Sequence, residues 1–319
     1  MIEDFYKSIN NVLHENQILI EEPLAKHTTF QIGGPAQFLV IPNKVAQIEA
    51  IVKVCKEVHM PFYVLGNGSN LLVSDKGYHG TIIKLGEAFS KITMEEWKAE
   101  YPSGLEDKIK KSYLVQAEAG VLLSKLANSI AEFGLTGFEF AAGIPGTLGG
   151  AVTMNAGAYG GEMKDFIHSA TILDEEGNIQ KFSKEELNLG YRKSIIQEKN
   201  YIVLEASFLF EKGNIEDIMN KIKDLNGRRR EKQPLEYPSA GSTFKRPEGY
   251  YAGKLIMDSG LRGYKIGDAQ ISEKHCGFVI NTGNATAQEV RTLISNVIQI
   301  VYDKFGVKLE PEVKLLGEL

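Results

Sequence analysis

The stretch from Gly134 to Gly161 constrains this chain more than any other, because nine of its 28 residues are glycine. Its centre reads Gly143-Ile-Pro-Gly-Thr-Leu-Gly-Gly150 and runs on through Ala151-Val-Thr-Met-Asn-Ala-Gly157. Glu139 is its one charged residue. A loop so poor in charge makes a poor surface linker. Glycine lets the main chain approach something flat or phosphorylated and offer it N–H groups. A tight, buried structural turn is the alternative.

The rest of the chain bounds what that stretch can serve. A length of 319 residues allows two domains or three. With 43% apolar and 24% charged residues it reads as an ordinary soluble globular protein that can bury a sizeable core. A net charge of −5 gives no general field for nucleic acid, and the densest basic run is Arg228-Arg-Arg-Glu-Lys232. No apolar run is long enough to cross a bilayer, and the acidic N-terminus has no signal-peptide core. Two cysteines, Cys55 and Cys276, suit a reducing cytoplasm. The expectation is a cytoplasmic protein with no membrane, nucleic-acid or obligate protein partner.

Apolar spacing sets the expected elements. An amphipathic helix falls within residues 1–20 on Phe5, Ile9 and Leu13, and a strand–helix–strand unit spans 36–65. Strands follow over 71–74 and 81–85. Residues 90–112 read as a loop or insertion carrying a helical turn. A strand over 113–119 leads into a helix over 122–133 that Gly134 caps. Beyond the glycine stretch come a strand over 167–174 and a capping box, Ser183-Lys-Glu-Glu186, opening a short helix. A half-buried alternating strand over 201–210 precedes a helix over 215–232. The last third reads as a strand or loop over 238–247, a helix over 250–259 and a strand over 276–281. A helix opened by Thr286-Ala-Gln-Glu289 is closed by Gly306, and an edge strand over 309–315 carries Pro311. The texture changes from Pro234, and the boundary between an α/β region and a smaller α+β region falls near 212.

Several chemistries lack their parts. The six histidines and two cysteines show no metal-ligand spacing. There is no Gly-x-Ser-x-Gly elbow and no phosphate-binding lysine loop. Gly66-Asn-Gly-Ser-Asn70 follows a strand, but Leu71-Leu-Val-Ser continues as another strand rather than a helix, so the dinucleotide fingerprint fails. What remains there is a loop whose Asn67, Ser69 and Asn70 could line an anion nest, or an ordinary turn. Three polar residues sit oddly. Arg192, in Tyr191-Arg-Lys-Ser194, could clamp a carboxylate through two parallel bonds, or be a solvated surface arginine. Ser242 follows a glycine that would give a ligand close access, or is an exposed turn serine. Glu312 lies in an apolar terminal stretch, where an inward carboxylate must be paired or used, and Glu310 competes for that position.

These motifs together resemble one family. Leu65-Gly-Asn-Gly-Ser-Asn-Leu-Leu72, Ala142 to Gly157, Tyr191-Arg-Lys-Ser194, Ala240-Gly-Ser-Thr-Phe-Lys245 and Leu309-Glu-Pro-Glu-Val313 look like UDP-N-acetylenolpyruvoylglucosamine reductase, in the right order over roughly residues 23–316. The resemblance implies an α+β protein: an FAD-binding α/β region of the vanillyl-alcohol-oxidase (PCMH) type over 1–212, in subdomains of about 1–88 and 89–212, then a substrate domain over 213–319. It implies tightly bound FAD, held by Gly66, Asn67, Gly68, Ser69, Asn70, Gly143, Ile144, Pro145, Gly146, Thr147, Gly149, Gly150, Asn155 and Gly157. In that fold strand-to-strand loops bind the pyrophosphate, which accounts for the missing fingerprint.

The resemblance also implies chemistry. NADPH gives hydride to the flavin, and the reduced flavin passes it to the methylene carbon of an enolpyruvyl UDP-sugar. Ser242 looks like the general acid for the adjacent carbon, and Arg192 and Glu312 look like the pair that holds the carboxylate and steadies the enolic intermediate. Arg228, Lys232 and Lys245 resemble the residues that meet the UDP-sugar. The product feeds peptidoglycan precursor synthesis. Arg246 stands where the family often has asparagine, residues 90–112 exceed the usual connection, and the C-terminal region looks like the compact subtype without a tyrosine-bearing lid. Another flavoenzyme of the same fold and a non-catalytic UDP-sugar binder are the competing readings.

Overall fold

Strand Ile202–Lys212 is the centre of the largest sheet in the computed structural model of this protein, which describes residues 2–97 and 112–318. The sheet runs Ile179–Ser183, Ile167–Leu173, Ile202–Lys212, Ser112–Glu118 and Ile92–Glu96, all antiparallel, and Leu135–Thr136 pairs with the far end of the central strand. The alternation over 201–210 predicts a half-buried strand. Instead both faces are covered: Val203 and Ser207 are buried alongside Ile202, Leu204, Ala206, Phe208 and Phe210. Ser207 tolerates this because its hydroxyl lies 2.6 Å from that of Ser169 on the neighbouring strand. Phe138, Phe140, Phe166, Phe208 and Phe210 pack together beneath the sheet, with centroids 5.2 to 6.2 Å apart.

That sheet belongs to the first of two compact units, formed by Met1–Gln17, Ile41–Gly66 and Ile83–Arg228. Its N-terminal helix is only Ile2–Ile9, with Phe5 and Ile9 buried, shorter than the apolar spacing over 1–20 suggests. Helix Val45–Glu57 and strand Phe62–Leu65 lie where the spacing puts them. Strand Ile92–Glu96 replaces part of the expected loop over 90–112, and the rest of that loop, 98–111, lies outside the described residues. The Ser183 capping box forms, with the Ser183 N–H donating to Glu186 at 2.8 Å, yet it closes a turn and opens no helix. The glycine stretch is not all loop, since Leu148–Thr153 is helical.

The second unit comprises Ile18–Val40, Asn67–Ile82 and Arg229–Leu319. It opens with the antiparallel pair Ile18–Pro23 and Pro35–Val40, and the first of these takes in the last three residues of the helix expected over 1–20. Its four-stranded sheet runs Ser239–Ser242, Phe278–Asn281, Ala269–Ile271 and Lys265–Ile266. Helix Ala287–Phe305 buries Val290, Leu293, Ile294, Val297 and Val301 in a core with Leu255, Ile256 and Val279. Thr286 and Glu289 cap it reciprocally, and Gly306 ends it at φ +67°. The Asp75 carboxylate accepts from the Ala287 and Gln288 N–H groups at 2.7 and 3.0 Å, adding charge at the helix start. The terminal strand is Lys314–Leu316, shorter than expected, pairing parallel with Leu71–Val73. Among the described residues no helix is long and apolar enough to cross a membrane.

Candidate active site

Ser242 and Glu312 come together in the second unit. Strand Ser239–Ser242 carries one extra residue against Phe278–Asn281, a bulge built on Gly241 at φ +74°. Ser242 is exposed at its end. The next residue, Thr243, is buried and locked: its N–H donates to Gly277 O at 2.8 Å, and its hydroxyl accepts from the Val279 N–H at 2.9 Å. Thr243 O in turn accepts from the Glu312 N–H at 2.8 Å. Thus the backbone of the serine strand holds the backbone of the glutamate. Glu312 is half-buried while Glu310 is exposed, and Glu310 pairs with Lys245 at 3.2 Å. Burial, then Lys245, pushes the Lys314 ammonium below its usual value, and Glu312 opposes that shift.

Arg192 lies in the first unit, at the second corner of a two-residue turn. Gly190 and Lys193 close it by exchanging N–H···O bonds of 3.0 and 3.2 Å. Arg192 has φ +55°, a left-handed conformation that a side chain disfavours. Its guanidinium donates to Gly157 O at 3.4 Å and lies 5.3 Å from the Tyr191 ring centre. The Gln197 amide donates to Arg192 O at 3.2 Å, and the buried Ser194 hydroxyl donates to Thr153 O at 2.6 Å. The sequence does signal this, since Ser194-Ile-Ile-Gln197 has capping-box spacing. Ser194 caps helix Ile195–Lys199 through the Gln197 N–H, while the Gln197 side chain turns to Arg192.

The glycines expected to cradle FAD divide into two kinds. Some are demanded by the protein's own atoms. A Cβ at Gly66 would lie 2.1 Å from Thr147 Oγ1, so the 66 loop and the 143–150 segment meet directly. One at Gly68 would lie 2.3 Å from His27 O, and one at Gly157 2.7 Å from Gly161 O. The Leu148 and Gly149 N–H groups are spent on Val121 O and Ala119 O at 2.9 and 2.8 Å, so they offer nothing to an anion. Gly150 is different. It sits exposed in helix Leu148–Thr153, and its Cβ would meet only Thr147 Oγ1, at 3.8 Å. Glycine there costs about 1 kcal/mol against alanine, and among the described residues no atom demands it. The open space beside Gly150 fits a flat or phosphorylated group.

Of the three expected asparagines, Asn67, Asn70 and Asn155, the last two spend their amides on the protein. Asn70 Nδ2 donates to Glu312 O at 3.2 Å, and Asn155 Nδ2 donates to Gly190 O at 2.9 Å. Sequence spacing does not announce either contact, because each joins distant segments. The basic residues are more dispersed. Arg228 and Lys232 are exposed near the end of helix Ile215–Lys232, and Arg228 pairs with Asp224 at 2.8 Å. Arg229 between them is buried.

Comparison with known proteins supplies what geometry alone does not. The family model described as "UDP-N-acetylenolpyruvoylglucosamine reductase, C-terminal domain" matches residues 233–316, and one described as "FAD binding domain" matches residues 36–183. A UDP-N-acetylenolpyruvoylglucosamine reductase of Lachnoclostridium phytofermentans is 55% identical over 315 residues, covering 98% of this chain and 97% of that one. That of Agathobacter rectalis is 51% identical over 318 residues, covering 100% of both. The crystal structure of the Thermus caldophilus reductase superposes with a TM-score of 0.75 at 31% identity, covering 94% of this chain and 98% of that one.

Proposed function

The chain belongs to the UDP-N-acetylenolpyruvoylglucosamine reductase family, and from that premise we propose that it reduces UDP-N-acetylenolpyruvoylglucosamine to UDP-N-acetylmuramate with NADPH, in peptidoglycan precursor synthesis. It is an FAD-binding oxidoreductase whose α+β fold joins an FAD-binding domain to a C-terminal domain. We assign FAD binding to residues 1–212 and the substrate to 213–319. Cys55 and Cys276 are both buried and joined in no disulfide among the described residues, as suits the reducing cytoplasm in which we place the reaction.

When bound, FAD would supply the chemistry of hydride transfer from NADPH to the methylene carbon of the enolpyruvyl group. The room beside Gly150 and the junction of Gly66 with Thr147 are where the chain would hold it. Charge then builds on the neighbouring carbon and its carboxylate. Arg192 opposes that charge with a guanidinium already fixed on its turn, so little reorganisation is needed as the charge appears. Ser242 gives the adjacent carbon its proton. A serine hydroxyl is a feeble acid, so it must sit within hydrogen-bond reach and donate as charge develops. The bulge at Gly241 and the locked Thr243 hold it at an exposed strand end for that purpose. Glu312 steadies the enolic intermediate. Arg228 and Lys232 meet the UDP diphosphate, and Lys245 also binds the substrate.

The observation that carries this reading is the bond from the Glu312 N–H to Thr243 O, which ties the terminal glutamate to the residue beside Ser242. The visible spectrum of the purified protein is the test. A flavin spectrum bleached by NADPH and restored by UDP-N-acetylenolpyruvoylglucosamine supports it. NADPH oxidation that needs only oxygen, or a protein that stays colourless with added FAD, overturns it.

A further inference from the structure

Arg192 occupies a backbone position that glycine would fill with less strain, yet the residue there is an arginine. Such a conformation persists only where the surroundings impose it. Here they do so through polar side chains. Asn155 is fully buried and itself left-handed, at φ +43°. Its Nδ2 donates to Gly190 O at 2.9 Å and to the Glu162 carboxylate at 2.7 Å, and its Oδ1 accepts from the Lys164 N–H at 2.9 Å. Both amide protons are therefore used inside the protein. Gly190 O, which Asn155 holds, also accepts from the Lys193 N–H that closes the Arg192 turn. Gln197 Nε2 holds the other side of that turn, at Arg192 O.

We propose that Asn155 and Gln197 are positioning residues for Arg192: together they lock the Gly190–Lys193 turn in its left-handed form and so fix the guanidinium before the substrate carboxylate arrives. The proposal rests on the reading of Arg192 as the carboxylate clamp. It extends the cofactor-side stretch around Asn155 into substrate reduction, although Asn155 lies 35 residues from Gly190 in sequence. The two clamps have separate anchors, joined through the Ser194 hydroxyl on Thr153 O. Asn155 is anchored to Glu162 and Lys164, whereas Gln197 belongs to the helix that Ser194 caps.

A double-mutant cycle tests this. Asn155→Gly removes one clamp without straining its left-handed backbone. Gln197→Met removes the other at nearly constant volume, and it also removes Gln197 Oε1, a buried oxygen with no hydrogen-bond partner among the described residues. Each is combined with Arg192→Ala. Flavin content, thermal melting, NADPH reduction of the flavin, substrate binding read from the flavin band, and the single-turnover rate of UDP-N-acetylenolpyruvoylglucosamine reduction are measured separately. Gln197→Met is expected to retain flavin and its reduction by NADPH, and both single variants are expected to bind substrate more weakly and to slow substrate reduction by roughly tenfold or more. In the Arg192→Ala background neither should slow it further. Effects that multiply in the double variants, or a wild-type rate in both single variants, overturn the proposal. If Asn155→Gly fails to fold, Gln197→Met carries the same cycle. A wild-type rate for Arg192→Ala alone overturns the clamp reading itself, and that outcome is distinct from the other two.

Discussion

The Asn70 side-chain amide donates to the main-chain oxygen of Glu312 at 3.2 Å, across 242 residues of sequence. Asn70 O also accepts from the Lys314 N–H, so one residue of the glycine loop brackets the glutamate on both sides. Asn70→Ala should destabilise the protein by about 1 kcal/mol. Asn70→Asp should cost more, because a carboxylate oxygen then faces Glu312 O with no proton between them. Denaturant midpoints give the order. Equal midpoints for the two variants would show that the amide proton does not matter.

Ser242→Ala should leave NADPH reduction of the flavin intact and slow substrate reduction by about a hundredfold or more, the range of general-acid contributions. Stopped-flow measurement of the two half-reactions separates them. Equal loss in both would assign Ser242 to folding or cofactor binding. Arg192→Lys should also impair substrate reduction strongly, since a point charge cannot reproduce the planar fork.

Gly241→Ala isolates backbone strain. Among the described residues a Cβ at Gly241 meets nothing within 4 Å, so the cost comes from its φ of +74° and not from a clash. The expected loss is about 1 kcal/mol. Relaxation of the bulge should re-aim Ser242 and lower substrate reduction more than flavin reduction. A full stability loss with wild-type turnover would separate the bulge from catalysis.

Glu139 gives the fold a defined acid response. Burial opposes its ionisation, but the Gly137 and Glu139 N–H groups, the Thr136 hydroxyl and the Lys221 ammonium outweigh it and hold the carboxyl below its ordinary pKa. A carboxyl depressed in the folded state stabilises fully above the unfolded carboxylate range, and that contribution disappears as pH falls through the folded value. Glu139→Gln should therefore be less stable than the parent protein at pH 7, by about 1–2 kcal/mol, and the gap should narrow below about pH 4. Urea melts across that range provide the measurement. A gap that does not change with pH would remove the charge from the explanation.

Much of the fold is legible because apolar spacing records burial. Helix Ile215–Lys232 lies where its pattern puts it, and the Thr286 capping box starts its helix as written. Errors arise where local signals have two physical outcomes. Ile18, Leu19 and Ile20 continue the apolar helix pattern but form a strand, and glycines at 149 and 150 hide the helix Leu148–Thr153. Ser207 looks like an outward position until Ser169 satisfies its hydroxyl. At the site, residue types alone leave Ser242, Arg192 and Glu312 open between functional and surface readings, and family motifs give them roles. The left-handed turn under Arg192 is invisible in sequence, because the residue usual in such a conformation is absent. Asn70 and Asn155 point toward a cofactor by their neighbours in sequence and toward the protein by their partners in space.

The parallel pairing of Leu71–Val73 with Lys314–Leu316 has a consequence for how the chain is made. On a ribosome, the early strand emerges and waits while more than two hundred further residues are added, on the order of ten to fifty seconds at ordinary elongation rates. Until then the edge that Lys314–Leu316 will pair with is open. Assembly around Glu312 is thus among the last events of biogenesis, and a nascent chain stalled before Leu309 carries a complete set of glycine loops with no terminal glutamate to join them to.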